Sequence, residues 1–158
     1  MSAVEQRLQE MGLSLPAVAA PVAAYVPAVV SGQHVYTSGQ LPLVNGEVPI
    51  QGRVGNVEDP DVVDPDEAKN LAQIAGLNAL AAIKAEIGDL DRITRIVKVT
   101  GYVSSMPDFF GQPAVINGVS ELLAEAFQDA GTHARAAVGV AALPLNVPVE
   151  VDIIAEFR

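Results

Sequence analysis

The chain has 158 residues, half of them hydrophobic, no cysteine and a formal charge of −10. That length fits one domain, spanning residues 1–158, whose core needs no staples; the missing thiols remove disulfides, a cysteine nucleophile and thiolate metal sites, as suits a reducing cytoplasm. Nine basic residues against nineteen acids, with no Trp, supply neither a phosphate-tracking stripe nor a stacking platform, which argues against nucleic acid as a partner.

The start, Met1 through Arg7, is polar and lacks the basic-then-apolar order of a secretory leader. Val4, Leu8 and Met11 at helical spacing predict a short amphipathic helix over 2–11, stopped at Gly12, within a helical N-terminal extension of about fifteen residues. The apolar run 15–30 holds Pro16, Pro21 and Pro27 and is too broken for a membrane helix. A first strand is expected over 22–30, with Pro27 marking it as an edge or bulged strand. A turn at 31–33 leads to a second strand over 34–38, closed by Gly39.

Residues 44–64 read as a long acidic loop with room for one short strand. Asp64-Pro65-Asp66-Glu67 then starts a helix to about Ile87: Asp64 caps, Pro65 takes the first position, Glu67 suits a capping box, and Gly88 stops it. Residues 92–103 alternate over the longest strand signal in the chain, with Arg95, Val97, Val99, Gly101 and Val103 on one face. A second long helix is expected over 112–129, carrying Asn117 and Ser120 partway along it, and a final pair of strands over 134–141 and 147–156. The order gives an α+β sheet with two helices on one face. Its other face needs cover, which a chain this apolar obtains by forming oligomers.

Residues 132–152 hold the densest chemical signal. Arg135 stands among Ala134, Ala136, Ala137 and Gly139, with room around a guanidinium fork suited to a carboxylate or phosphate. Glu150 and Asp152 share one strand face. The alternative reading is that Arg135 pairs with Glu150 or Asp152 across the sheet. His133 reads as an acid or base beside Arg135 or as an interface histidine, His34 as an ordinary strand residue, and Asp152 as a surface or interface acid. Two distant His with no acidic ligand spacing make a metal site improbable. The acids at 59–61 and 89–91 lack the calcium-loop pattern, and no Gly-rich loop runs into a helix with a following Lys.

Three segments in order resemble one family. Tyr36-Thr37-Ser38-Gly39-Gln40-Leu41-Pro42 resembles the second-strand signature of the RidA/YjgF family. Ala134-Arg135-Ala136-Ala137-Val138-Gly139-Val140-Ala141-Ala142-Leu143-Pro144 resembles its C-terminal signature, and Val147-Pro148-Val149-Glu150-Val151 its closing strand. The resemblance covers roughly residues 20–157. It implies a chorismate-mutase-like fold assembled as a homotrimer around a central β-barrel, with clefts between subunits. It also implies a cytoplasmic imine or enamine deaminase without metal or cofactor, hydrolysing 2-iminobutanoate, 2-iminopropanoate or 2-aminoacrylate to 2-ketoacids and ammonia.

Carried over by position, Arg135 is the substrate-carboxylate clamp and Glu150 the group that activates water or passes protons to leaving ammonia. Tyr25 walls the cleft, Ser38 and Asn117 line it, and Gly39 lets backbone approach the ligand. Residues 51–63 resemble an insertion, the first fifteen or so residues are extra, and Ala137 stands where family members often carry Cys. A trimeric binding protein for small carboxylates, without turnover, is the competing reading; ribonuclease chemistry fits the acidic chain poorly.

Overall fold

The structure is a computed structural model that describes residues 1–18 and 24–158. Helix α1 spans Ala3–Glu10 and strands β1 and β2 span Ala28–Ser31 and His34–Thr37. Short strands β3 (Arg53–Val54) and β4 (Val62–Val63) precede helix α2 (Pro65–Ile87). Strand β5 (Ile93–Ser104), helix α3 (Gln112–Phe127), β6 (Ala134–Val140) and β7 (Val149–Phe157) complete the chain. This is the expected α+β order. Residues 22 and 23 of the expected first strand lie outside the described residues, and Pro27 sits just before β1 rather than inside it.

The sheet order is β1-β2-β7-β5-β6. Its β5–β6 pair is parallel, because α3 carries the chain across between them, while β7 returns antiparallel through the centre. The final two strands are therefore not neighbours, contrary to the sequence reading. Strand β5 lies between them, so Arg135 makes no pair with Glu150 or Asp152 across a shared ladder. Strand β6 has an unpaired outer edge.

Strand β5 departs from simple alternation. Register shifts between Ile93 and Arg95 and between Ile96 and Lys98 rotate its first half. Ile93, Ile96, Val99, Gly101 and Val103 face the core, and Arg95 turns outward. Helix α2 begins as its residues dictate: the Asp64 side chain accepts from the Asp66 N–H at 2.8 Å and Gly88 closes the helix at φ +90°. Its Ala-rich inner face (Ala68, Leu71, Ala75, Ala79, Ala82, Ile83) is buried, as expected. From α3, Val115, Ile116, Val119, Leu122 and Ala126 are buried with it. Each aliphatic side chain so buried contributes about 1.5–3 kcal/mol. Ile116 lies directly over Gly101, where any Cβ would collide with it, and this seats α3 against β5.

The N-terminal helix joins this core. Val4 and Leu8 are buried, and the first N–H groups of α1, on Ala3 and Val4, donate to the Asp91 carboxylate at 2.8 and 3.0 Å. The long 44–64 stretch is also anchored. Buried Val54 bridges to Ser105 at the end of β5, β3 pairs parallel with β4, and the Gly52 N–H donates to the Asn146 carbonyl. Among the described residues, no helix is long and apolar enough to cross a membrane.

Candidate functional site

Strand register sorts the candidate residues onto two faces. Arg135 stands opposite Val99, whose side chain is fully buried on the helix side. Glu150 stands opposite Tyr102 on the other side, between buried Val149 and Val151. The sequence candidates thus fall into two clusters.

The first cluster lies between β6 and α3. The Arg135 Nη1 group donates to Asn117 Oδ1 at 2.7 Å and to Ser120 Oγ at 3.2 Å. Ser120 in turn contacts His133 Nε2 at 2.9 Å, and His133 Nδ1 contacts the Gly131 carbonyl at 2.6 Å. Among the described residues the ion pairs of Lys and Arg are Lys69–Glu121 and Lys84–Glu5, and His34 lies 3.7 Å from Glu156, so no acid neutralises the exposed Arg135. Its Nε and Nη2 groups remain free to grip an outside carboxylate.

The second cluster lies on the open face and at the end of β2. Ser38 donates through its hydroxyl to the Val26 carbonyl at 2.6 Å and through its N–H to the Pro27 carbonyl at 2.8 Å. Those bonds tie down the segment that carries exposed Tyr25. Gln40 and Val151 exchange backbone hydrogen bonds, which brings Gly39 against the Glu150 carboxyl. A Cβ at residue 39 would collide with Glu150 Oε2 and lie 2.8 Å from its Cδ. Tyr102 donates its hydroxyl to Asp152 Oδ2 at 3.1 Å.

Burial holds the Glu150 carboxyl above its usual range, and the negative charge of Asp152 adds to the rise. Burial also raises Asp152, against hydrogen bonds from Tyr102 and Thr100 and the Lys98 charge. The Tyr102 phenol is raised by its burial and by the two carboxylates. Two adjoining half-buried acids form a site that can hold a proton and release it. Among the described residues no group of three His, Cys, Asp or Glu could hold a metal.

The structure therefore brings Arg135 together with Asn117, and Glu150 against Gly39, while the neighbouring Ser38 holds the segment that carries Tyr25. It does not bring the two groups together within one chain. Sequence reasoning missed the roles of Ser120 and Tyr102. The signal for Ser120 was its three-residue spacing from Asn117, which puts both on one helix face; Tyr102 gave no signal beyond its outward position.

Comparison with known proteins agrees with this architecture. Residues 5–157 match the family described as "YjgF/chorismate_mutase-like, putative endoribonuclease". Protein TCP17 of Trypanosoma cruzi is 40% identical over 156 residues, covering 98% of this chain and 94% of that protein. The crystal structure of Atu1372 from Agrobacterium tumefaciens superposes with a TM-score of 0.90 at 44% identity, covering 99% of this chain and 93% of that one. A 2-iminobutanoate/2-iminopropanoate deaminase of Dermatophagoides farinae is 30% identical over 142 residues, 90% of this chain and 92% of its own length. With a mixed sheet backed by α2 and α3 and a match running along nearly its whole length, this chain belongs to the RidA/YjgF (YjgF/chorismate-mutase-like) family.

Proposed function

We propose that this protein is an imine/enamine deaminase that converts 2-iminopropanoate, 2-iminobutanoate and the related 2-aminoacrylate to 2-ketoacids and ammonia, in the cytoplasm. The observation that carries the reading is the Arg135 guanidinium: exposed, held by neutral side chains and unpaired with any described acid. An α-imino acid offers a planar carboxylate that such a fork binds through two parallel hydrogen bonds. In 2-aminoacrylate a proton first moves from nitrogen to C3, giving 2-iminopropanoate; water then adds to the C=N carbon, losing a proton as the nitrogen gains one, and the resulting carbinolamine expels ammonia as its hydroxyl proton leaves and the C=O forms. Each step moves protons, and Glu150, whose proton affinity is raised, is suited to pass them.

Because Arg135 and Glu150 lie on opposite faces of the sheet, one chain holds only half of this machinery. The free edge of β6 and the uncovered sheet face support closure by other copies. In a homotrimer around a central barrel, the Arg135 cluster of one subunit would meet the Glu150 cluster of the next. Mass measurement in solution tests the assembly. Activity is tested by coupling the protein to an enzyme that generates 2-aminoacrylate and following pyruvate release. The reading fails if release is not accelerated, or if Arg135→Ala accelerates it equally.

The separation of the two clusters also supports a second reading, a carboxylate-binding protein without turnover. Calorimetric binding of 2-ketoacids in the absence of any acceleration would favour it.

A further inference from the structure

We propose that Ser120 and His133 are positioning residues for Arg135: together they hold the inner edge of its guanidinium, so that Nε and Nη2 present a side-on fork to a planar carboxylate. The inference rests on the carboxylate-binding role proposed for Arg135, and it adds two residues which that role does not require.

A carbonyl oxygen can only accept, so His133 Nδ1, 2.6 Å from the Gly131 carbonyl, carries the proton. In the neutral ring Nε2 is then the acceptor, and the Ser120 hydroxyl, 2.9 Å away, donates to it. With its proton committed to His133, Ser120 Oγ offers lone pairs to Arg135 Nη1 at 3.2 Å. Asn117 Oδ1 takes the other Nη1 hydrogen at 2.7 Å. Both hydrogens of Nη1 are thereby spent on the protein, and the three on Nε and Nη2 are not.

Electrostatics explain why neutral partners serve here. A carboxylate in place of Ser120 would hold the guanidinium equally well but would cancel the charge that attracts the ligand. The relay fixes orientation and leaves the positive charge uncompensated. Arg135 itself is exposed, and the next residue of β6 on the same face, Ala137, is too small to cover the outer edge. The relay has the polarity by which a histidine activates a serine, so it is position and not polarity that argues against Ser120 as a nucleophile. Its oxygen lies behind the fork, on the Nη1 side, whereas a bound carboxylate and its adjoining carbon lie on the Nε–Nη2 side.

Two measurements on the full chain test this. The first is side-chain nitrogen NMR of ligand-free protein, reading rotation of the Arg135 Nη groups. We expect restricted rotation in the native protein, about ten-fold faster in Ser120→Ala and in His133→Ala, and restored in Ser120→Thr, which keeps the hydroxyl. The second is calorimetric titration with 2-oxobutanoate. Affinity should fall about ten-fold in each single variant and no further in the double variant, because the two residues act as one chain. Rotation unaffected by His133→Ala, or affinity losses that simply add, would overturn the relay. Labelling of Ser120 by a fluorophosphonate would overturn its purely positional role. The two readings fail separately. A native protein that restricts Arg135 but ignores 2-oxobutanoate upholds the relay and removes the carboxylate site; binding unchanged in both variants does the reverse.

Discussion

Arg135 and Glu150 lie two strands apart on opposite faces of one sheet, with β5 between their ladders. With two strand spacings of ~4.8 Å between them and a three-residue offset along β5, from Val99 to Tyr102, their backbones stand about 14 Å apart, and the sheet itself stands between the side chains. Any reaction using both must take them from different copies of the chain. Mixing Arg135→Ala with Glu150→Gln subunits, each inactive alone, should therefore restore activity. In the trimer proposed above, random mixing would give about a quarter of the subunit boundaries an intact Arg135 facing an intact Glu150. Pyruvate release after subunit exchange measures this. No recovery after subunit exchange would show that Arg135 and Glu150 do not act together across a subunit boundary.

Arg135→Ala should lower kcat/KM by about 10²–10³, since two charge-assisted hydrogen bonds to the carboxylate are lost. Arg135→Lys should recover little of that loss, because an ammonium cannot make the bidentate grip. As the side chain is exposed and its bonds go to α3 side chains alone, stability should change by only about 0.5 kcal/mol. Steady-state kinetics beside urea unfolding separate the two effects.

Gly39→Ala should act on Glu150 rather than on the fold. The added methyl would occupy the place of the Glu150 carboxyl, the far end of a flexible side chain, which can swing away. We expect kcat to fall about 10–100-fold with KM nearly unchanged and a normal circular dichroism spectrum. Global unfolding of the variant would show instead that the backbone at residue 39 cannot yield.

The raised Glu150 gives a stability signature of definite sign. In the native state this carboxyl binds its proton more tightly than in the unfolded chain, so ionising it opposes folding. The cost is absent below the unfolded carboxylate pKa of about 4.3 and grows as pH rises through the raised native value. Glu150→Gln should therefore raise Tm by a few degrees at pH 8 and leave it nearly unchanged at pH 4, while abolishing turnover. An equal Tm difference at both pH values would contradict the burial and the Asp152 repulsion that hold the proton.

Asp91 should prove to be the anchor of α1. Burial works to raise its carboxyl, but hydrogen bonds from the Val4 and Ala3 N–H groups prevail and lower it. Its contribution is therefore present above the unfolded carboxylate pKa of about 3.9 and fades as pH falls through the lowered native value. Asp91→Ala should cost about 1–2 kcal/mol, as loss of a helix cap does. Hydrogen exchange should speed first in residues 3–10, before the sheet opens. Protection there equal to that of the native chain would show that Val4 and Leu8 dock the helix unaided.

Several features were fixed by local sequence alone. Asp64-Pro65 and Gly88 bound α2 because capping and backbone preference act over a few residues. The apolar spacing of α2 and α3 named their buried faces correctly, and the segments around Ser38 and Arg135 carried the family resemblance. Pairing was not local. That β7 threads between β2 and β5, and that β6 runs parallel to β5 at the edge, depends on which strands meet after the chain has collapsed, a matter of long-range packing. The bulged start of β5 reversed the facing of Arg95 for the same reason, since register answers to the neighbouring strand. So the sequence named Arg135 and Glu150 as the chemistry, and only tertiary structure placed them back to back, gave Arg135 its Ser120–His133 support, and half-buried Glu150 beside Asp152. Side-chain identity is written residue by residue, but facing, burial and proton affinity are properties of the surroundings, which the folded sheet supplies.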